Sequence, residues 1–419
     1  MSVPPKSRPL WLRRIFQGFV ILCWLVFVAL LPHESVSPEY FGRYSSEYTL
    51  FLGIILLGLI ALTMPAFFRL RRPAFVDAMN LGGKLALFLF SMGVTLLAVE
   101  GFVRAVDFLG VSMFEEVTRY VLELEADEEL IYKQRADFDT VYQGVRFRTN
   151  ELGLRDEPIP LPVADELRVL VLGDSVTVGW GVPAEDRFSE RLEKMLTDKL
   201  ERPVHVINSG VSGYNTEQEL IFLRRHIVSM QPDLVIVVYV ENDVEPKALD
   251  IVDMQQRWEN PPDANAGLLR WSWFYRLIYY MAPDFLATSG ASPVDAASVE
   301  EGWRQSMESL AEMDALTRRH QVEFVTYLFR MLPDDLTDAL NTDISRVADE
   351  HQFRFVDSLP WFERAQFRAL TNSFVDTHPN AEGNRIIAEG IARDLEESGM
   401  LCRISGDQNG QLCSLALPQ

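Results

Sequence analysis

Residues 167 to about 400 alternate apolar runs with amphipathic stretches, and this predicts an α/β fold: a three-layer domain with a parallel sheet between two helical faces. The run Leu-Val-Ile-Val-Val-Tyr-Val at 234–240 is apolar almost throughout, as a strand buried on both sides must be. Glycine and polar residues gather just after several runs, and open parallel sheets bind ligands at the carboxyl ends of their strands. About 230 residues suffice for one such domain with a full core.

Strands are expected at Arg168–Leu172, Val204–Asn208, Leu234–Val240, Val322–Leu328 and Arg354–Asp357. Helices are expected at Phe188–Leu200, Thr216–Met230, Trp303–His320, Leu336–Glu350 and Ala381–Glu397. Residues 244–300 break the alternation, with two prolines at 261–262 followed by Trp271, Trp273, Phe274, Tyr275, Tyr279 and Tyr280. Directly after a strand end, this insertion is placed to form a lid, to stack on sugars or acyl chains, or to pack on the domain as an apolar helix. Residues 106–165 read as a connector: Phe114–Leu130 has an acidic helical pattern, and Val141–Asn150 alternates like a short strand pair. Pro158, Pro160 and Pro162 end it, and 401–419 form a C-terminal tail.

The first quarter predicts three membrane-spanning helices, at about 15–31, 48–68 and 81–103. Ile15–Leu31 and Tyr48–Phe68 are uncharged, and Leu81–Val103 carries only Lys84 and Glu100 near its ends. A bilayer core of about 30 Å needs about 20 apolar residues. Lys6, Arg8, Arg13 and Arg14 before the first span would also suit a signal peptide, but no small-residue cleavage site follows and two more spans do. Basic clusters at 6–14 and 69–84 belong in the cytoplasm, so everything after about 105 is expected outside it. Glu100 and Arg104, four apart, are expected to form an ion pair at the outer membrane interface.

Charge agrees. Residues 1–72 hold eight Lys/Arg against three Glu, so +5 there leaves −26 for the rest of a chain whose net charge is −21. An acidic body of that size argues against nucleic acid as a partner, since phosphate binding needs basic surface. Of the three cysteines, Cys23 sits in the first span, while Cys402 and Cys413 share the outer compartment, as a disulfide or as two free thiols.

Four segments place reactive groups at one sheet edge: Gly173-Asp174-Ser175, Asn208–Gly213, Glu241-Asn242-Asp243 and Asp376-Thr377-His378. A serine hydroxyl is a weak nucleophile at neutral pH; it needs an imidazole to take its proton and a carboxylate to orient the imidazole. Ser175, His378 and Asp376 fit these roles, with a backbone carbonyl as the alternative orienter of His378. Tetrahedral attack on an ester creates an oxyanion, and the Ser175 N–H, the Gly213 N–H and the Asn242 amide are the candidate donors. Gly210 is the rival of Gly213. Asp174 suits a turn-organising role, and Asn380 the N-cap of the final helix. Ser212, in Gly-Val-Ser-Gly, misses the G-x-S-x-G elbow. His33, His205, His226, His320 and His351 lack a comparable context. No metal-ligand spacing and no phosphate-cradling loop appears, so neither cofactor nor metal is expected.

These blocks resemble those of the SGNH (GDSL-type) hydrolases over about 167–395. Gly173-Asp174-Ser175 matches the first block and Asn208–Thr216 the second. Val240-Glu241-Asn242-Asp243 meets G-x-N-D with Val for glycine, and Asp376-Thr377-His378 meets D-x-x-H one residue short. Arg148–Asp156 resembles the lead-in of membrane-anchored bacterial members. The resemblance implies a serine esterase with an acyl-Ser175 intermediate, anchored in a bacterial inner membrane with its catalytic domain outside the cytoplasm. Its expected substrate is an O-acyl, for instance O-acetyl, ester of envelope carbohydrate or lipid. Transfer to a sugar hydroxyl is the alternative outcome of the same triad; a non-catalytic polysaccharide- or protein-binding envelope component is the alternative that the two departures suggest.

Overall fold

The computed structural model describes residues 10–31, 81–107, 110–245, 251–259, 271–281, 296–363 and 365–405, with scattered positions between 52 and 63 and at 268. Two compact units emerge, one built from residues up to Phe108 with Ser272–Phe274, the other from the remainder.

In the first unit, helix α1 spans Leu10–Leu30 and α2 spans Leu81–Val106. Most of the expected span 48–68 lies outside the described residues; Leu52, Gly53, Leu56, Gly58–Ile60 and Thr63 are helical. Among the described residues no helix is long and apolar enough to cross a membrane. The expected Glu100–Arg104 pair forms at 2.7 Å, and Glu100 also accepts hydrogen bonds from the Ser272 hydroxyl and the Trp273 and Phe274 amides.

The second unit opens with helix α3, Met113–Leu122, then strands β1 (Glu125–Asp127) and β2 (Ile131–Lys133), and the hairpin of β3 (Asp139–Tyr142) and β4 (Val145–Arg148). The expected helix 114–130 therefore stops eight residues early. Asp127 Oδ1 accepts from the amides of Glu129 and Leu130, and this local turn wins over helix, closing the β1–β2 pair. The anticipated strand pair within 141–150 is the β3–β4 hairpin.

The central sheet contains β5 (Leu167–Gly173), β6 (Val204–Asn208), β7 (Leu234–Tyr239), β8 (Glu323–Leu328) and β9 (Arg354–Asp357). All pairings are parallel and the order is β6-β5-β7-β8-β9. Helices α4 (Ser175–Val178), α5 (Phe188–Leu200), α6 (Thr216–Met230), α7 (Ile251–Glu259), α8 (Trp273–Met281), α9 (Ala296–Arg319), α10 (Asp335–His351) and α11 (Ala381–Glu397) complete the elements used here. Every expected strand and helix of the domain is present to within a residue or two, except that α9 begins seven residues earlier.

Alternation along β7 makes the two cores. Leu234, Ile236 and Val238 pack with Leu192, Ile387 and Ile391 of α5 and α11. Val235, Val237 and Tyr239 pack against Leu223, Leu310 and Ile344 of α6, α9 and α10. Period-two strands thus give each helical layer its own apolar face. A third, aromatic core joins the connector to the domain: Tyr120, Tyr132, Tyr142 and Phe147 pack with Trp180 and Tyr214.

One buried group tests the core's polarity. Glu219 on α6 is 1 % exposed, and neither carboxyl oxygen has a hydrogen-bond partner among the described residues. Burial, then the charges of Asp243 and Asp174, push its pKa well above the usual range, which favours the neutral form. Burial pushes Asp243 well above the usual range too, although it accepts from the Val240 amide (2.7 Å) and the Thr216 hydroxyl (2.8 Å), which pull the other way. A carboxyl whose pKa is raised on folding contributes stability below the unfolded value of about 4.3 and loses it as pH rises toward the folded value. Glu219→Gln should therefore lose less thermal stability than the wild type between pH 5 and pH 9, as followed by circular dichroism. Equal slopes would show that Glu219 is ionised in the fold.

Candidate active site

The sheet order reverses direction between β5 and β7, and at such a switch point the carboxyl ends of the strands open a crevice. Gly173 ends β5 there with φ of 155°, and a Cβ on it would fall 2.1 Å from Thr177 Oγ1. Only glycine lets the chain turn so tightly into α4. Asp174 caps this helix through the Val176 amide (2.9 Å), and its other oxygen lies 3.1 Å from Ser175 Oγ. Its anticipated turn-organising role is met.

Ser175, His378 and Asp376 meet. Ser175 Oγ lies 2.8 Å from His378 Nε2, and His378 Nδ1 lies 2.5 Å from Asp376 Oδ1. The single residue between Asp376 and His378 suffices, because the His378 backbone amide donates to that same Oδ1 at 3.1 Å. A short antiparallel ladder braces the fold-back: Asn372 N donates to His378 O, and Ser373 N to Asp376 O, each at 3.0 Å. A carboxylate, not a backbone carbonyl, orients the imidazole. Asn380 caps α11 through the amides of Glu382 and Gly383, as expected. Just inside that helix, Asn384 accepts from the Phe188 amide and so fixes the start of α5 to it.

Asp376 is fully buried, and its second oxygen is also occupied. Gln143 Nε2 and Asn372 Nδ2 each donate to Oδ2 at 3.1 Å. Neither was visible in the sequence as a site residue. Gln143 is 233 positions away and carries no motif.

Asn242 lies in the turn after β7 and lines a cavity of about 410 Å³ together with Ser175 and His378. Val240, where the resembled motif has glycine, is extended with φ of −128°, a conformation that needs no glycine. Gly213 has φ of 79°, and a Cβ there would press on the Tyr132 hydroxyl at 2.9 Å. Gly213 is not among the residues lining the cavity. Its rival Gly210 has spent its amide on Asn208 Oδ1, and packs against the Thr177–Val178 backbone.

The charged groups around His378 are Asp376 and Asp174, with Glu241, Asp334 and Arg330 on the cavity wall. Arg330 is held by Asp357 and Asp338. Burial pushes the His378 pKa down, but the hydrogen bond and charge of Asp376, helped by Asp174, outweigh it and the net direction is upward. Glu241 is raised by burial, then by Asp334 and Asp174. A larger groove of about 860 Å³ lies at the opposite ends of β8 and β9, away from these groups, and its arginines are paired: Arg318 with Asp314, Arg354 with Asp394, Arg403 with Glu323.

Cys402 is disulfide-bonded and Cys23 is a free thiol; Cys413, the remaining cysteine, lies outside the described residues.

Residues 171–386 match the model of the GDSL-like lipase/acylhydrolase family. Among solved structures, that of TesA is 18% identical and covers 55% of this chain and 98% of its own, with a TM-score of 0.36. The acetyl xylan esterase AlAXEase is 15% identical over 55% of this chain and 100% of its own (TM-score 0.37). A catalytic mutant of Axe2, an acetylxylan esterase from Geobacillus stearothermophilus, is 15% identical over 55% and 94% (TM-score 0.36). No curated protein sequence matches the chain.

The balance at His378 is measurable. Imidazole NMR titration should place it above the ordinary histidine value of about 6.5, and Asp376→Asn, which removes the charge and keeps the burial, should drop it below. A wild-type value under 6.5 would mean that burial prevails.

Proposed function

We propose that this chain, which belongs to the GDSL-like lipase/acylhydrolase family, is a membrane-anchored esterase that removes acyl groups from carbohydrate of the bacterial envelope. It is a serine ester hydrolase. The observation that carries the mechanism is the continuous contact from Ser175 through His378 to buried Asp376.

Ser175 Oγ attacks the ester carbonyl carbon while its proton moves to His378 Nε2. Asp376 holds Nδ1–H and stabilises the imidazolium. The carbonyl electrons move to oxygen, where the Ser175 amide, the Gly213 amide and the Asn242 side chain are the proposed donors. Neither the Gly213 amide nor the Asn242 amide donates to another group among the described residues, which supports their assignment. When the oxyanion collapses, the bond to the alcohol oxygen breaks and His378 returns its proton to that oxygen. Water then attacks acyl-Ser175, giving its proton to His378. The acid leaves, and Ser175 regains its hydrogen.

A carbohydrate substrate is supported by the cavity wall. Glu241 offers a hydroxyl-accepting carboxyl group, while the one arginine lining the cavity is already engaged, a poor surface for an anionic lipid headgroup. Phe329, Met331 and Phe367 supply apolar surface for the acyl group or a sugar face. Anchoring, with the N-terminus cytoplasmic and the catalytic domain outside, is supported by the uncharged runs 15–31 and 48–68 and by the flanking basic residues. It is further supported by exposed apolar side chains along α1 and α2, such as Leu22, Leu25, Phe90 and Leu97, and by the disulfide at Cys402.

Ser175→Ala should lower hydrolysis of p-nitrophenyl acetate by roughly 10⁴-fold or more and abolish fluorophosphonate labelling. Asn242→Ala should cost about 10²–10³ in kcat. Retained envelope function in Ser175→Ala cells would favour a binding component over an enzyme.

A further inference from the structure

We infer that Gln143 is a positioning residue of the esterase: from the tip of the β3–β4 hairpin its amide fixes the carboxylate that orients His378, so that the connector supports the triad from behind. The inference rests on the Ser175–His378–Asp376 mechanism and goes beyond it.

A buried carboxylate orients an imidazole only if the carboxylate itself cannot rotate. Both Asp376 oxygens are engaged: Oδ1 by the His378 ring and amide, Oδ2 by Gln143 and Asn372. Asp376 has no exposed surface, so solvent cannot replace a lost donor without the packing opening. Asn372 divides its amide between Asp376 and the Trp180 carbonyl (2.8 Å), leaving Gln143 as the contact from a separate element.

The hairpin is built to hold that reach. Its two-residue loop has φ of 52° at Gln143 and 73° at Gly144, the left-handed pair of a primed turn. Asn or Gly is the ordinary choice at the first of these positions, so a longer side chain there is unexplained by the turn alone. Next to it, Tyr142 stacks on Trp180 with ring centroids 5.5 Å apart. The buried Arg155 guanidinium donates to Arg146 O of β4 and also to Gly179 O and Val182 O, beyond the nucleophile's helix. Gln143 is thereby referenced to Ser175 as well as to Asp376.

Gln143→Asn separates positioning from turn stability. Asparagine suits the left-handed turn better but is one methylene too short to reach Asp376. Gln143→Met keeps the length and removes the donor. On the full-length chain in detergent, with p-nitrophenyl acetate, both variants should lose about tenfold in kcat with KM within about twofold. With one donor fewer, Asp376 draws the imidazolium more strongly, so the acid limb of kcat/KM should move to higher pH; Asp174, Glu241, Asp334 and Arg330 are unchanged. Wild-type kcat in Gln143→Asn, a change confined to KM, or a fall in kcat without the acid-limb shift would each overturn the inference. Ser175→Ala measured alongside distinguishes its failure from that of the mechanism: an inactive Ser175→Ala beside a wild-type Gln143→Asn removes only the role of Gln143, whereas a fully active Ser175→Ala removes the triad itself.

Discussion

A carboxylate sealed from water must have its lone pairs met by the protein, and Asp376 imposes that demand at the centre of this molecule. Two donors come from His378, one from the loop through Asn372, and one from the connector through Gln143. Those groups are scattered over the sequence, so the fold has to bring a hairpin, a loop and a helix start to one point. The antiparallel ladder at 371–379 and the Asn380 cap fix the loop; the Tyr142–Trp180 stack and Arg155 fix the hairpin. The packing around the triad is best read as the consequence of holding one buried charge.

The parallel sheet supplies the other half of the constraint. Strand β5 delivers Ser175 and β7 delivers Asn242 to the same edge because the sheet changes direction between them. Backbone must crowd there, and glycine appears where it does: Gly173 against Thr177, and Gly210 against the amide of Val178. Val240 shows the converse. The turn after β7 is capped by Asp243 onto the Val240 amide in an extended conformation, so the position tolerates a side chain that the resembled motif lacks.

Much of this was legible in the residues. Strong periodicity located the strands and helices of the domain, since a buried strand and an amphipathic helix each leave a repeat in sequence. Ser175 and Asn242 were visible because reactive types followed strand ends, and Asp376 and His378 because they stand just ahead of helix α11. The connector was less so. Its 114–130 stretch reads as helix, but Asp127 satisfies the backbone locally and turns the chain into β1 and β2. Gln143 left no trace at all, because a glutamine acquires its role only from a carboxylate 233 residues away. Short-range pattern reports elements; it does not report which distant side chain completes a buried hydrogen-bond set.

The acidic groups beneath the crevice also have to be apportioned. In the proposed mechanism His378 must be neutral to take the Ser175 proton, yet Asp376 and Asp174 both raise its pKa. Asp376 cannot be spared, and Asp174 is committed to the Val176 amide. Glu219 has neither amide nor hydroxyl to hold a charge among the described residues, and its burial raises its pKa. The Asp243 carboxyl group faces the Val240 amide and the Thr216 hydroxyl, which keeps the Asn242 turn in shape. Asp376 and Asp174 together outweigh the burial of the imidazole, and they are the two carboxyl groups that set its basicity.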